Sequence, residues 1–390
     1  MNRRHKGRAI GLLAPLLLAA SLSACGSDDS DSAEPTAELP EANSSLEGEI
    51  TLGAVLPLTG NSASIGQDQQ RGIELAVAEI NAGAGVLGKK LVVASEDSEG
   101  RADAAIQAAQ KLVNVDKVPA VIGEYSSGNT IPMQQFLAEQ GVVGVNPGSS
   151  SADVRNTGDL QFSVIGDELK AGVFTAEHLY EEGHRSISIL APNNAYGTGV
   201  SEAVGDSFEE LGGTVNDTVI FNEGQADYRQ ELSRLEDSAP DAYVVTMYSQ
   251  DGAVINREMF EAGMTDSSIF AIYLSMTTAD SDPTAVEGHE GMDVLTSEAG
   301  HDDYADQYES IFGESFSSSF NGYAYDAVKM LAEAINTAGS EDPQAIADAL
   351  MEISQGYEGV TGPIEFDADG QRSQQDYMVG VIEDGAIVPQ

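Results

Sequence analysis

The sequence predicts an α/β protein of two doubly wound lobes that face each other across a cleft, on three observations. Short apolar runs of strand length alternate with helix-like segments from residue 50 to 150, and the alternation restarts after residue 160. Two consecutive strands, 120–122 and 142–145, end in small polar residues: Ser126-Ser127-Gly128-Asn129-Thr130, then Gly148-Ser149-Ser150-Ser151. The strands of the second half also end in polar loops, and these carry aromatics. In an open α/β sheet such loops sit at the carboxyl ends of the strands, where ligands bind. Their hydroxyls, with backbone N–H groups at a helix N-terminus, suit a carboxylate or another small polar group. One such loop alone is ordinary turn and capping chemistry. Two in succession point to a binding cleft.

Each element follows in order. Residues 50–56 read as the first strand, followed by a polar loop, 57–66, and a helix with Ile73, Val77 and Ile80 on one face. Residues 91–94 are the second strand, and 96–100 turn the chain into a helix over 102–114. A helix over 131–140 joins the two strands that carry the serine loops. The second half predicts strands at 161–165, 186–191, 215–221, 242–247 and 269–274. Helices lie between them, at 168–182, up to 211, near 228–236 and at 253–262. The loop 192–198 holds Tyr196 and the loop 248–252 begins with Tyr248. Beyond Gly291 the pattern changes to a strand, 292–297, and helices near 304–312, 323–338 and 343–351. Residues 364–366 and 377–383 are expected to form a hairpin around the turn 367–371. Gly83 to Gly88 matches GxGxxG, but it follows a helix and leads into a strand, the reverse of the dinucleotide-binding order, and reads as a helix C-terminal turn.

The N-terminus stands apart. Arg3, Arg4, Lys6 and Arg8 precede an apolar stretch, 10–22, of signal-peptide length. Leu22-Ser23-Ala24-Cys25-Gly26 then resembles a bacterial lipobox, with Cys25 the single cysteine of the chain. Residues 1–24 are expected as a lipoprotein signal peptide, Cys25 as the lipid attachment that anchors the protein outside the cell membrane, and 25–47 as a disordered acidic tether. The net charge of −46 disfavours nucleic acid and suits neutral or cationic ligands. The five histidines are scattered without metal spacing, and no GxSxG elbow occurs. No catalysis, metal or cofactor is expected.

The segments ITLGAVLPLTG (50–60), RGIELAVAEINAGAGVLGKKL (71–91), VIGEYSSGNT (121–130), VNPGSSSADV (145–154), PNNAYGTGV (192–200) and FNGYAYDAVKML (320–331) together resemble type I periplasmic-binding proteins of the leucine/isoleucine/valine-binding kind. The match covers nearly all of 48–390. It implies two αβα lobes joined by three crossovers: lobe one at 48–165 plus 296–360, lobe two at 166–295 plus 361–390. It implies a monomer that closes about a hinge on a small ligand and delivers it to an ABC permease. Carried over by position, Ser127, Gly148, Ser149 and Ser150 would meet a ligand carboxylate, and Tyr196, Tyr248 and Phe320 would pack its body. Two departures stand out. Ile65 occupies a position that often holds an aromatic, and Leu274 and Ser275 stand where an acid for an α-ammonium is expected. Asp251 or Glu124 are the candidate substitutes. A branched-chain or other amino acid, a small carboxylate, an amide or a urea-like ligand all suit the serines and tyrosines, and a ligand sensor of the same fold is the alternative to a transporter component.

Overall fold

The computed structural model describes residues 35–294 and 302–390. The first half builds β1 (Glu49–Leu56), α1 (Ala63–Ala82), β2 (Lys90–Asp97), α2 (Ala102–Lys111), β3 (Ala120–Gly123), α3 (Ser127–Gln140), β4 (Val143–Asn146) and β5 (Gln161–Ser163). Its five strands form a parallel sheet in the order β2-β1-β3-β4-β5. β3 and β4 are buried along their whole length, as parallel strands covered on both faces must be.

The chain then continues through α4 (Glu168–Glu181), β6 (Ser186–Pro192), α5 (Ala195–Glu210), β7 (Thr214–Phe221), α6 (Arg229–Asp237), β8 (Ala242–Val245), α7 (Ser249–Ala262), β9 (Ser268–Ile272), α8 (Leu274–Thr278), α9 (Pro283–Val286) and β10 (Glu290–Val294). After it come α10 (Asp302–Phe312), α11 (Phe320–Ala338), α12 (Pro343–Ile353), β11 (Tyr357–Gly359), β12 (Gly362–Ile364), β13 (Tyr377–Glu383) and β14 (Ala386–Pro389). The second sheet has the order β14-β13-β10-β9-β8-β6-β7, with β13 and β14 antiparallel at one edge.

α11 returns to the first lobe and lies along α1. A Cβ at Gly72 of α1 would run into the carbonyl oxygen of Asn321, so glycine is what lets the two helices touch. The contact is reinforced by buried Asp68, which accepts from the Tyr308 hydroxyl, Ser318 N–H and the Asn321 amide.

The chain passes between the sheets after β5, again after β10 through residues outside the description, and a third time between Gln371 and β13. Gln371 still bridges to Ser163 of β5, while Tyr377 pairs with Val294 of β10. The fully buried Arg372 ties the first and third passages together. Its guanidinium donates to the carbonyls of Val164 (2.9 Å), Thr361 (2.7 Å), Pro363 (2.7 Å) and Gln374 (3.0 Å). Buried Asp326 lies beside it and accepts from the backbone N–H groups of Val360 and Thr361.

Several expectations change. The hairpin of 364–366 with 377–383 does not form. Ile364 pairs with Tyr357, and β13 pairs with β10 and β14. The two runs lie on opposite sides of the third passage, so only the small turn survives, bridged from Phe366 to Arg372. β13 instead forms a hairpin with β14 that turns on Asp384-Gly385, both at positive φ, an Asp-Gly signal visible in the sequence. Helices α3 and α7 begin four residues before their expected starts, at Ser127 and Ser249, because poor helix formers occupy their first turns. The expected strand 292–297 is β10, described as far as Val294. Residues 36–47, expected as disordered tether, lie against the first lobe. The N–H groups of Thr36 and Ala37 donate to the Ser310 carbonyl, and the Asn43 amide donates to the Gly83 carbonyl at 2.9 Å. Cys25 and the signal segment lie outside the described residues.

Candidate functional site

The serine loops of the first lobe are held from below by Asn146, the last residue of β4. Its Oδ1 accepts from the N–H groups of Gly148 (3.1 Å) and Ser149 (2.7 Å). Its amide donates to the Ser149 carbonyl (2.6 Å) and the Ser163 hydroxyl (2.9 Å). Ser149 then donates its hydroxyl to Ser127 Oγ at 2.8 Å. Ser149 is therefore committed to holding the loop, and two of the expected ligand N–H donors are already engaged by Asn146. Ser150 uses its carbonyl to accept from Glu168 N–H at 2.7 Å, which leaves its hydroxyl to the cleft.

Between the lobes lies a small cavity of about 20 Å³. Of the residues expected at the site, Ser127, Gly148, Ser150, Tyr196, Tyr248 and Phe320 line it, and Ser149 stands one layer behind. The structure adds Tyr125, Ser126, Tyr273 and Met276. Tyr125 and Tyr273 follow strands β3 and β9 just as Tyr248 follows β8, so the same strand-end signal marked them. Asn146 carried only the weaker signal of an Asn-Pro-Gly turn.

The rings pack against one another, Tyr125 edge to face with both of its partners and Tyr273 tilted on Phe320. Tyr125 of the first lobe meets Tyr248 of the second at 5.6 Å between centroids and Phe320 at 5.3 Å, and Tyr273 meets Phe320 at 5.6 Å. Tyr125 and Tyr248 also line an outer recess that holds Asn61, Glu99, Arg101 and Glu223. The pair thus forms the wall between this recess and the inner cavity. Tyr248 is fixed by donating to Glu223 Oε1 and accepting from the Asn194 amide, both at 2.6 Å. The Tyr196 hydroxyl pairs with Thr246 Oγ1 at 2.9 Å, and burial pushes its ionisation up. The Tyr125 hydroxyl is buried and has no partner among the described residues.

Among the described residues no carboxylate lines the inner cavity. Glu124 is fully buried and accepts from the Ser98 hydroxyl (2.6 Å), Ser126 N–H (2.7 Å) and the Asn129 amide (3.3 Å); burial pushes its carboxyl up to about 7 against these bonds. Asp251 accepts from the Tyr228 hydroxyl (2.5 Å) and Gly224 N–H (3.0 Å). Neither expected substitute reaches the inner cavity. An acid does stand beside Ser275: Asp293 of β10, which accepts from Ser275 N–H (2.7 Å) and the Ser319 hydroxyl (2.8 Å). It too is engaged and lies outside the lining. Ile65, at the departed aromatic position, is buried in the core of the first lobe.

Two α/β lobes that enclose a small cavity between them, with hydroxyls on one wall and rings from both, define an extracytoplasmic solute-binding protein of the ABC-importer type. Residues 49–386 match the family model described as periplasmic binding protein, and the chain belongs to that family. It is 28% identical over 346 residues to Leu/Ile/Val-binding protein homolog 2 of Brucella abortus, covering 85% of this chain and 90% of that one. The Leu/Ile/Val-binding protein BraC3 of Rhizobium johnstonii is also 28% identical, over 87% of this chain and 93% of its own. Among solved structures, the leucine binding protein LivK of Thermotoga maritima superposes with a TM-score of 0.80 at 25% identity, covering 87% of this chain and 97% of that one.

Proposed function

We propose that the protein is the lipid-anchored, ligand-capturing component of an ABC importer for a small carboxylate-bearing solute, with amino acids the first ligands to test. One observation supports this above the others: Ser127, at the N-terminus of α3, and Ser150 face the same cavity as the rings of Tyr196 and Tyr248 from the opposite lobe. The α3 N-terminus and the two hydroxyls would take the carboxylate. The rings would take the body of the ligand, so that only the closed arrangement touches it on every side. Ligand binding then favours closure, and the closed form is what the permease would engage. The lobes would be 48–165 with 296–360 and 166–295 with 361–390, swinging about the passages that Arg372 joins. The names of the Leu/Ile/Val-binding relatives favour amino acids. The protein would act as a monomer and carry out no catalysis, and Cys25 would carry the lipid.

Thermal unfolding against a panel of amino acids, small organic acids, amides and urea tests the binding reading. Ligand at about 100 times its dissociation constant stabilises by about 2.7 kcal/mol, and the absence of any shift across the panel would sink it. Membrane fractionation of Cys25→Ala tests the anchor: the variant should leave the membrane.

A further inference from the structure

The lining of the inner cavity narrows the class of ligand, and this inference rests on the solute-binding reading. Five aromatic rings bound the space, and among the described residues no acid or base lines it; the acceptors it offers are neutral, the hydroxyls of Ser150, Tyr125 and Tyr273 among them. A primary ammonium brings three N–H donors that need acceptors. The nearby acids Glu124, Asp251 and Asp293 are engaged by protein donors and stand outside the lining. A fully alkylated ammonium has no N–H to satisfy. Its charge is spread over its alkyl groups, and ring faces attract such a cation most strongly where water is excluded.

The surroundings have the matching sign. Glu223 sits at the hydroxyl end of the Tyr248 ring, accepting from that hydroxyl at 2.6 Å. Glu124 precedes Tyr125 in the chain and lines the outer recess on the far side of that ring. Arg101 lies in the outer recess, where Glu99 (2.7 Å) and Asp103 (3.1 Å) hold it. A ligand of net negative charge would meet acids behind the rings with no cation in the lining to offset them. A zwitterion would not. We propose that the cleft takes a small zwitterion whose cationic end is a fully alkylated ammonium, its carboxylate at Ser127 and Ser150 and its nitrogen among the five rings.

Calorimetric titration of the full chain with three ligands of similar bulk tests this. Glycine betaine carries the quaternary nitrogen, 3,3-dimethylbutanoate replaces that nitrogen by carbon, and leucine carries a primary ammonium. Betaine should bind at least about tenfold more tightly than either. Tyr248→Leu removes one ring and should lower betaine affinity about tenfold or more. Equal or tighter binding of 3,3-dimethylbutanoate would overturn the cation–ring assignment. Tighter binding of leucine would overturn the proposal and leave solute binding standing. No binding of these or of the wider panel would remove both.

Discussion

The backbone N–H of Glu168 donates to the carbonyl of Ser150 at 2.7 Å, so the first helix of one lobe grips the serine loop of the other. Glu168 Oε1 also accepts from Ala152 N–H at 2.8 Å, while Oε2 has no partner among the described residues. Burial pushes this carboxyl up to about 8. The folded chain therefore holds the proton more tightly than the unfolded chain, and stability falls as pH rises from the ordinary glutamate range to about 8. Glu124, at about 7, adds a slope of the same sign. The thermal midpoint should drop between about pH 5 and 8, and Glu168→Gln should flatten the upper part of that drop. A wild-type midpoint that climbs across this window would contradict the assignment.

Ser127→Ala combined with Ser150→Ala should weaken binding of a carboxylate ligand at least tenfold. A hydrogen bond to a charged group is worth about 1.5–3 kcal/mol. The thermal midpoint without ligand should fall modestly, since the bond from the Ser149 hydroxyl to Ser127 is lost while the Asn146 bonds that hold the loop remain. Calorimetry on the double variant decides it, and unchanged affinity would remove both serines from the site.

Ser64 donates to Asp280 at 2.8 Å, a direct hydrogen bond from α1 of the first lobe to the second. Ser64→Ala should destabilise the closed arrangement by about 1 kcal/mol, which speeds ligand release roughly fivefold with little change in the association rate. Stopped-flow measurement of both rates is the check. An effect confined to association would place the bond outside the closing step.

Arg372 donates to four carbonyls across two passages, and that fork is what a substitution would break. Arg372→Met should cost about 3–5 kcal/mol in urea unfolding, because the carbonyls and Asp326 lose a buried partner. Arg372→Lys should not rescue it, since an ammonium cannot span the planar fork. Full recovery in the lysine variant would mean that charge alone matters there.

The alternation of strands and helices, the serine loops and the rings of Tyr196 and Tyr248 were legible in the sequence because each rests on local periodicity or on a strand end, whereas Phe320, at the start of α11, was marked only by the family resemblance. What escaped depends on non-local pairing. The partner of β13 is β10, more than eighty residues earlier, so two runs that look like neighbours across a turn belong to different sheets. Asn146 organises the serine loop by reaching two and three residues ahead and across to Ser163, a geometry that exists only once β5 lies beside β4. The emptiness at Leu274 was legible. That the nearby acids turn away from the cavity was not, because their partners Tyr228, Ser98 and Ser319 come from other elements.

Gly72 gives the cleft a fixed gauge. With no side chain between α1 and the start of α11, Asn321 and its neighbour Phe320 cannot shift toward α1 without backbone collision. The Phe320 ring has little room to recoil from a bulkier guest. Discrimination by size would then be steep on the side of the ring and gentler on the side of Met276, whose unbranched chain can re-fold around a change of shape. Homologous ligands that grow toward one wall or the other should separate accordingly, so the tolerance of the site would be directional.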